Sequence, residues 1–129
     1  MTYEPEYFQK FEFEETQIQK LLQSAEYELG KAKKFDDPDV MFKFSYDALI
    51  KFGIFLIAKD GHRVRSIRGH HIKIIEKISQ ILKNTEIYKT ADKIRIKRNA
   101  DLYDGCIIVS EKDSREILKF VEKIFNTPS

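Results

Sequence analysis

Residues 36–60 read DDPDVMFKFSYDALIKFGIFLIAKD, and this stretch decides the fold. Asp37 supplies a side-chain oxygen that can accept from the first free N–H groups of a helix. Pro38, with its fixed φ and missing N–H, suits the first helical position. Asp36-Asp37-Pro38-Asp39 is therefore the clearest helix start in the chain. The helix predicted to follow, about 38 to 59, becomes apolar on nearly every face: Ala48, Leu49, Ile50, Phe52, Ile54, Phe55, Leu56 and Ile57. A helix apolar all round is covered on several sides, at the centre of a bundle or against a partner subunit. Residues 52–58 taken alone also read as a strand, but the clean start and the length favour helix.

Upstream, Ile18, Leu21, Leu22, Ala25, Leu29 and Ala32 recur at helical spacing and predict a helix from about 14 to 34. Gly30 weakens its last turn. Residues 1–13 read as an irregular lead-in rich in aromatics (Tyr3, Tyr7, Phe8, Phe11). Downstream, Asp60-Gly61 ends the central helix and residues 61–69 form a basic loop. A third helix is predicted from about 70 to 83, with Ile74, Ile75, Ile78, Ile81 and Leu82 toward the core, and Asn84 breaks the chain after it. A fourth runs from about 86 to 103, ended by Asp104-Gly105. Ser110-Glu111-Lys112-Asp113 resembles a capping box with Asp in the last position, and a final helix follows from about 111 to 126. Five helices with short connections predict an all-α protein: an up-and-down four-helix bundle with an additional C-terminal helix, residues 14–126 forming one domain.

The composition agrees. A chain of 129 residues with 42% hydrophobic and 34% charged side chains is one globular domain, neither a disordered tail nor a membrane span. Five Gly and three Pro are too few for a turn-rich β-sandwich. A single cysteine, Cys106, excludes an intrachain disulfide framework and a cysteine zinc cage. It reads as a small apolar residue, with no nucleophile motif around it. Glu4 and Glu6 near the start, with no apolar h-region, predict no signal peptide, and so a soluble, cytoplasmic protein.

Charge is distributed unevenly. Residues 1–60 hold 8 basic and 12 acidic side chains, residues 61–98 hold 11 and 3, and residues 99–129 hold 4 and 6. A net +2 thus conceals a central segment of +8 that also contains His62, His70 and His71. Such a segment suits a phosphate-binding surface, or else a solvated basic helix face.

Within it, Arg98 is out of place. Ile87, Ala91 and Ile94 set the apolar stripe of the fourth helix, and at about 100° per residue Arg98 returns to within about 20° of Ile87. A guanidinium on an apolar stripe needs an acidic partner, backbone carbonyls or a ligand. Arg98 can hold a phosphate through its fork of donors, Asn99 can fix backbone or a base edge, and Tyr103 can hydrogen-bond or stack. Alternatively, Arg98 pairs with an acid inside the bundle, Asn99 caps and Tyr103 packs.

Arg98-Asn99 with Tyr103 at the end of a bundle helix resembles the signature of the HEPN superfamily of small all-α domains. That signature is an arginine, often followed by asparagine, with a histidine a few residues on. Gly61-His62-Arg63 and Gly69-His70-His71 upstream, and Tyr103-Asp104-Gly105 beyond, extend the resemblance over about residues 14–126. The resemblance implies a homodimer with its motifs facing across a shared cleft, RNA or a nucleotide as ligand, and a role in a toxin–antitoxin system beside a nucleotidyltransferase-like partner protein. It also implies metal-independent endoribonuclease chemistry, in which the arginine stabilises phosphate and the histidine helps activate the ribose 2′-hydroxyl. Here Tyr103 stands at the histidine's place. With a reference pKa near 10, a tyrosine is a poor base at neutral pH, so the activity implied is weak or lost.

Further basic residues complete the predicted site. Arg63, Arg65, Arg68 and Lys73, followed by Arg95 and Lys97, are candidates for phosphate or RNA contacts. Lys77 extends the same basic stretch. His70 and His71 are candidates for the missing acid–base function if they line the cleft with Arg98. Adjacent helical residues diverge by about 100°, so the two do not readily chelate one metal, and neither metal nor cofactor is expected. A second reading is a non-enzymatic helical dimerisation or interaction module. It rests on the apolar breadth of the 38–59 helix and on the aromatic lead-in Tyr7, Phe8, Phe11 and Phe13.

Overall fold

The computed structural model describes residues 1–104 and 109–128, with residues 101–104 as helical backbone. In chain order the elements are β1 (Phe8–Lys10), α1 (Glu15–Lys34), α2 (Pro38–Lys59), β2 (His62–Val64), α3 (His70–Ile81), α4 (Thr85–Asp104) and α5 (Glu111–Phe125). The fold is all-α, with one short strand pair added.

The α2 helix is the hub. Asp37 accepts from the backbone N–H groups of Asp39 and Val40, and Pro38 opens the helix. Met41, Phe42, Leu49, Leu56 and Ile57 are among its fully buried side chains, and α1, α3, α4 and α5 all pack on it. Residues 52–58 are helical. Lys51, the charge that interrupts the apolar run, reaches across to buried Glu28 of α1 at 3.1 Å. Gly53 marks the crossing of α2 with α3: a Cβ there would overlap Ile74 and lie 2.8 Å from Ile78 Cδ1. Close approach, rather than backbone freedom, requires this glycine. On the opposite side Leu118, Val121 and Ile124 of α5 enter the core, and Phe125 stacks on Phe52 with 4.3 Å between ring centroids.

Local signals close the helices. Glu14 forms a capping box with Gln17 at the start of α1. Ser110 accepts from the Asp113 N–H at 3.0 Å and starts α5. Between α3 and α4, Lys83 takes a left-handed φ of 55°, and the Asn84 side chain accepts from the Glu86 N–H at 3.0 Å.

The expected irregular lead-in and basic loop both need correction. Phe8 pairs with Val64, Gln9 with Arg63 and Lys10 with His62 in an antiparallel ladder. Phe8 points inward and is buried, while its strand neighbours Gln9 and Lys10 are exposed. Burying one such ring stabilises by about 2–3 kcal/mol, enough to hold a three-residue strand whose partner lies far along the chain. Among the described residues no helix is long and apolar enough to cross a membrane.

Candidate functional site

The segment between β2 and α3 begins and ends on constrained backbone. Arg65 N–H donates to the Tyr7 carbonyl at 2.7 Å, which ties the loop to the N-terminal segment. Gly69 caps α3 at φ 83°, a left-handed conformation that a side chain would strain. This turn delivers His70 and His71 at the first positions of α3. On the facing helix, Arg95 and Asn99 stand four residues apart and so share a side of α4. Residues 66–72 together with Arg95 and Asn99 line one cavity of about 650 Å³. Arg68, His70, His71, Arg95 and Asn99 are thus brought together, as a set of donors and cations around one open space.

Each is held differently. His70 Nδ1 lies 2.7 Å from the Ile67 carbonyl oxygen. His71 Nδ1 lies 2.9 Å from the hydroxyl of Tyr46, a buried residue of α2. The two imidazole centroids are 4.5 Å apart, edge to face. Arg95 Nε donates to Asp92 one turn earlier at 2.9 Å. Arg68 is exposed.

Arg98 is not among the lining residues, yet its charge bears on them. Burial pushes His71 down to about 4, with His70, Arg95 and Arg98 adding to the effect. Burial lifts the Tyr46 phenol well above its ordinary range against the pull of Arg95 and Arg98. Burial and neighbouring Glu28 raise the Asp47 carboxyl, while Arg98, Lys43 and Lys51 oppose the rise. The charge of Arg98 is thus felt by Tyr46 and Asp47 of α2 as well as by His71. Among the described residues no ion pair fixes Arg98, in contrast to Arg95.

The other predicted site residues lie elsewhere. Arg63 stands over the Phe11 ring, 5.3 Å from its centroid. Arg65 Nε donates to the Pro5 carbonyl at 3.0 Å. Lys73 pairs with Glu4 at 2.8 Å and lies over the Tyr7 ring. Lys77 is buried, donates to the Thr2 carbonyl and to Gln80, and lies over the Tyr3 ring. Lys97 pairs with Asp113 of α5 at 3.3 Å and lines a separate groove of about 330 Å³ between α4 and α5. The side chain of Tyr103, and Cys106, lie outside the described residues.

Sequence reasoning missed Tyr46 and Asp47. Their signal was Ser45-Tyr46-Asp47, three consecutive polar residues in a helix otherwise apolar on nearly every face. Chemically, the cavity offers two cations and two imidazoles with one amide, a set of partners for the oxygens of a phosphate. No family model matches the chain, and neither a curated protein nor a solved structure matches it.

Proposed function

We propose that this chain is a HEPN-like domain of the toxin–antitoxin type that binds the phosphate backbone of single-stranded RNA in the cavity between residues 66–72 and α4. One observation carries the reading: Arg68, His70, His71, Arg95 and Asn99 converge on a single space of about 650 Å³. Arg68 and Arg95 supply charge, Asn99 and His71 supply hydrogen bonds, and Arg98 adds to the positive field. Metal-independent cleavage is weak or lost in this reading, because Tyr103 is a poor base in the position of the motif histidine. As in the proteins it resembles, two copies pair with their clefts facing, and a nucleotidyltransferase-like protein is the partner. The interaction-module reading has less support. Phe8 is buried, Tyr3 and Tyr7 pack on the core, and α2 is covered by the chain's own helices.

The test is a titration of end-labelled single-stranded RNA with chelator present, scored for retardation on a native gel and for cleavage on a denaturing one. Wild type retards the RNA, and Arg95→Ala binds about tenfold more weakly while keeping its helical circular dichroism. Absence of retardation at low salt, or equal binding by the variant, overturns the reading.

A further inference from the structure

Among the described residues, the exposed aromatic side chains are Tyr27 of α1 and Phe35 at its end, 63% and 41% exposed. Phe35 stacks on Phe44 of α2, with 6.0 Å between ring centroids. Cations stand against the same rings. Lys31 Nζ lies 4.4 Å from the Tyr27 centroid and 5.0 Å from that of Phe44, and Lys43 Nζ lies 5.5 Å from Phe44. Tyr27, Lys31 and Lys34 are spaced to share one side of α1. Neighbouring Lys33 pairs with Glu122 of α5 at 3.4 Å. Among the described residues no acid pairs with Lys31, Lys34 or Lys43. Gly30 lies three residues beyond Tyr27, inside the helix, where a glycine costs about 1 kcal/mol relative to alanine. A Cβ at Gly30 would meet nothing within 4 Å, so no contact inside the chain requires the glycine.

We propose that this face docks an acidic segment of a partner protein, with an apolar side chain of the segment against Tyr27 and Phe35, its carboxylates on Lys31, Lys34 and Lys43, and its backbone passing close over Gly30. Each lysine ammonium carries three donors and no acceptor, and a ring face satisfies the charge without accepting those hydrogen bonds in full. Carboxylates supply the acceptors that the chain itself leaves out here. Exposed rings beside unpaired cations make a surface that is both apolar and basic, which an acidic segment with one apolar anchor complements. A flat anionic membrane fits less well, because Asp36 and Asp39 stand exposed beside Phe35 and Lys43. A narrow segment running along α1 avoids both. None of these residues lines the cavity between residues 66–72 and α4, so the inference is independent of the RNA reading.

The probe is a short fluorescent peptide of glutamates around one leucine, with a glutamine version as control, added to the full chain labelled with nitrogen-15. The acidic peptide should shift the backbone resonances of residues 27–35 and 40–44, and the control should leave them in place. No shift, or shifts confined to residues 66–72 or spread over every exposed lysine, overturns the proposal. In fluorescence titrations Lys31→Glu with Lys43→Glu should weaken the peptide about tenfold, and Tyr27→Ala about fivefold. Gly30→Gln should weaken it about threefold while unfolding at no lower urea concentration, since glutamine is the better helix former. A merely structural glycine would move stability alone, so unchanged binding by Gly30→Gln, or by the double lysine variant, contradicts the docking geometry. Vesicles containing phosphatidylserine and single-stranded RNA are tested beside the peptide. Either one shifting these residues where the peptide does not makes the acidic segment the wrong occupant. Peptide binding without any RNA retardation would remove the RNA reading and leave this one standing.

Discussion

Residues 61–98 supply two groups of cations with opposite fates. Arg63, Arg65, Lys73 and Lys77 turn toward the N-terminal segment and are taken up by its aromatic rings, its carbonyls and Glu4. Arg68 and Arg95, with His70 and His71, line an open cavity. The residue types are the same and the positions interleave. What differs is the distance along the chain to the partner. The first group meets residues 52 to 75 positions earlier, whereas Arg95 and His70 bond within three residues of themselves. A basic stretch therefore holds a fold together where a distant segment arrives to meet it, and lines an open cavity where none does.

The largest effect expected from breaking this contrast is on the tethering side. Lys77→Ala removes a buried stem between the Tyr3 and Phe8 rings and leaves the Thr2 carbonyl without its donor. Stability should fall by about 2–3 kcal/mol, read from urea unfolding, with RNA affinity of the folded protein unchanged. A variant as stable as wild type would erase the distinction between the two groups.

The cavity side answers to pH. Folded His71 resists protonation down to about 4, whereas the unfolded chain protonates that ring near its ordinary 6.5. The unfolded state thus holds more protons in this window, and stability falls as pH drops from about 6.5 toward 4. In urea midpoints across that range, His71→Asn should show a shallower decline than wild type. Saturating RNA should make the wild-type decline shallower too, because phosphate charge offsets His70, Arg95 and Arg98. Equal declines in variant and wild type would show that His71 is not the group responsible.

A smaller effect sharpens the contrast from the acidic side. Asp92 holds Arg95 at 2.9 Å beside the cavity, while Glu4 holds Lys73 at 2.8 Å in the tether. Asp92→Asn should strengthen RNA binding about threefold by releasing the guanidinium, and Glu4→Gln should leave it unchanged. Weaker binding by Asp92→Asn would mean that Asp92 aims Arg95 rather than competing for it.

These contrasts also mark what the sequence made legible. The helices could be read because their signals are local: Asp37-Pro38 starts α2, Ser110 starts α5, and the apolar spacing carries the rest. The strand pair could not, since three residues carry no periodicity and the partner of Phe8 is Val64. Arg98 stood out on its stripe, and His70, His71, Arg95 and Asn99 were each candidates before any geometry was known. Their convergence was invisible because it depends on how α3 crosses α4. Lys77 looked like one more exposed cation; its burial depends on Thr2, Tyr3 and Phe8 arriving from the other end of the chain.

The most direct test of the account is the salt dependence of single-stranded RNA binding in paired variants. Each cation that neutralises a phosphate of a single strand adds about 0.7 to the steepness of log affinity against log salt. Arg68→Gln with Arg95→Gln should therefore lower the steepness by about 1.4, while Arg63→Gln with Arg65→Gln should leave it at the wild-type value. An equal drop in both pairs, or a drop confined to Arg63 and Arg65, would contradict the division of the basic segment into tether and ligand site.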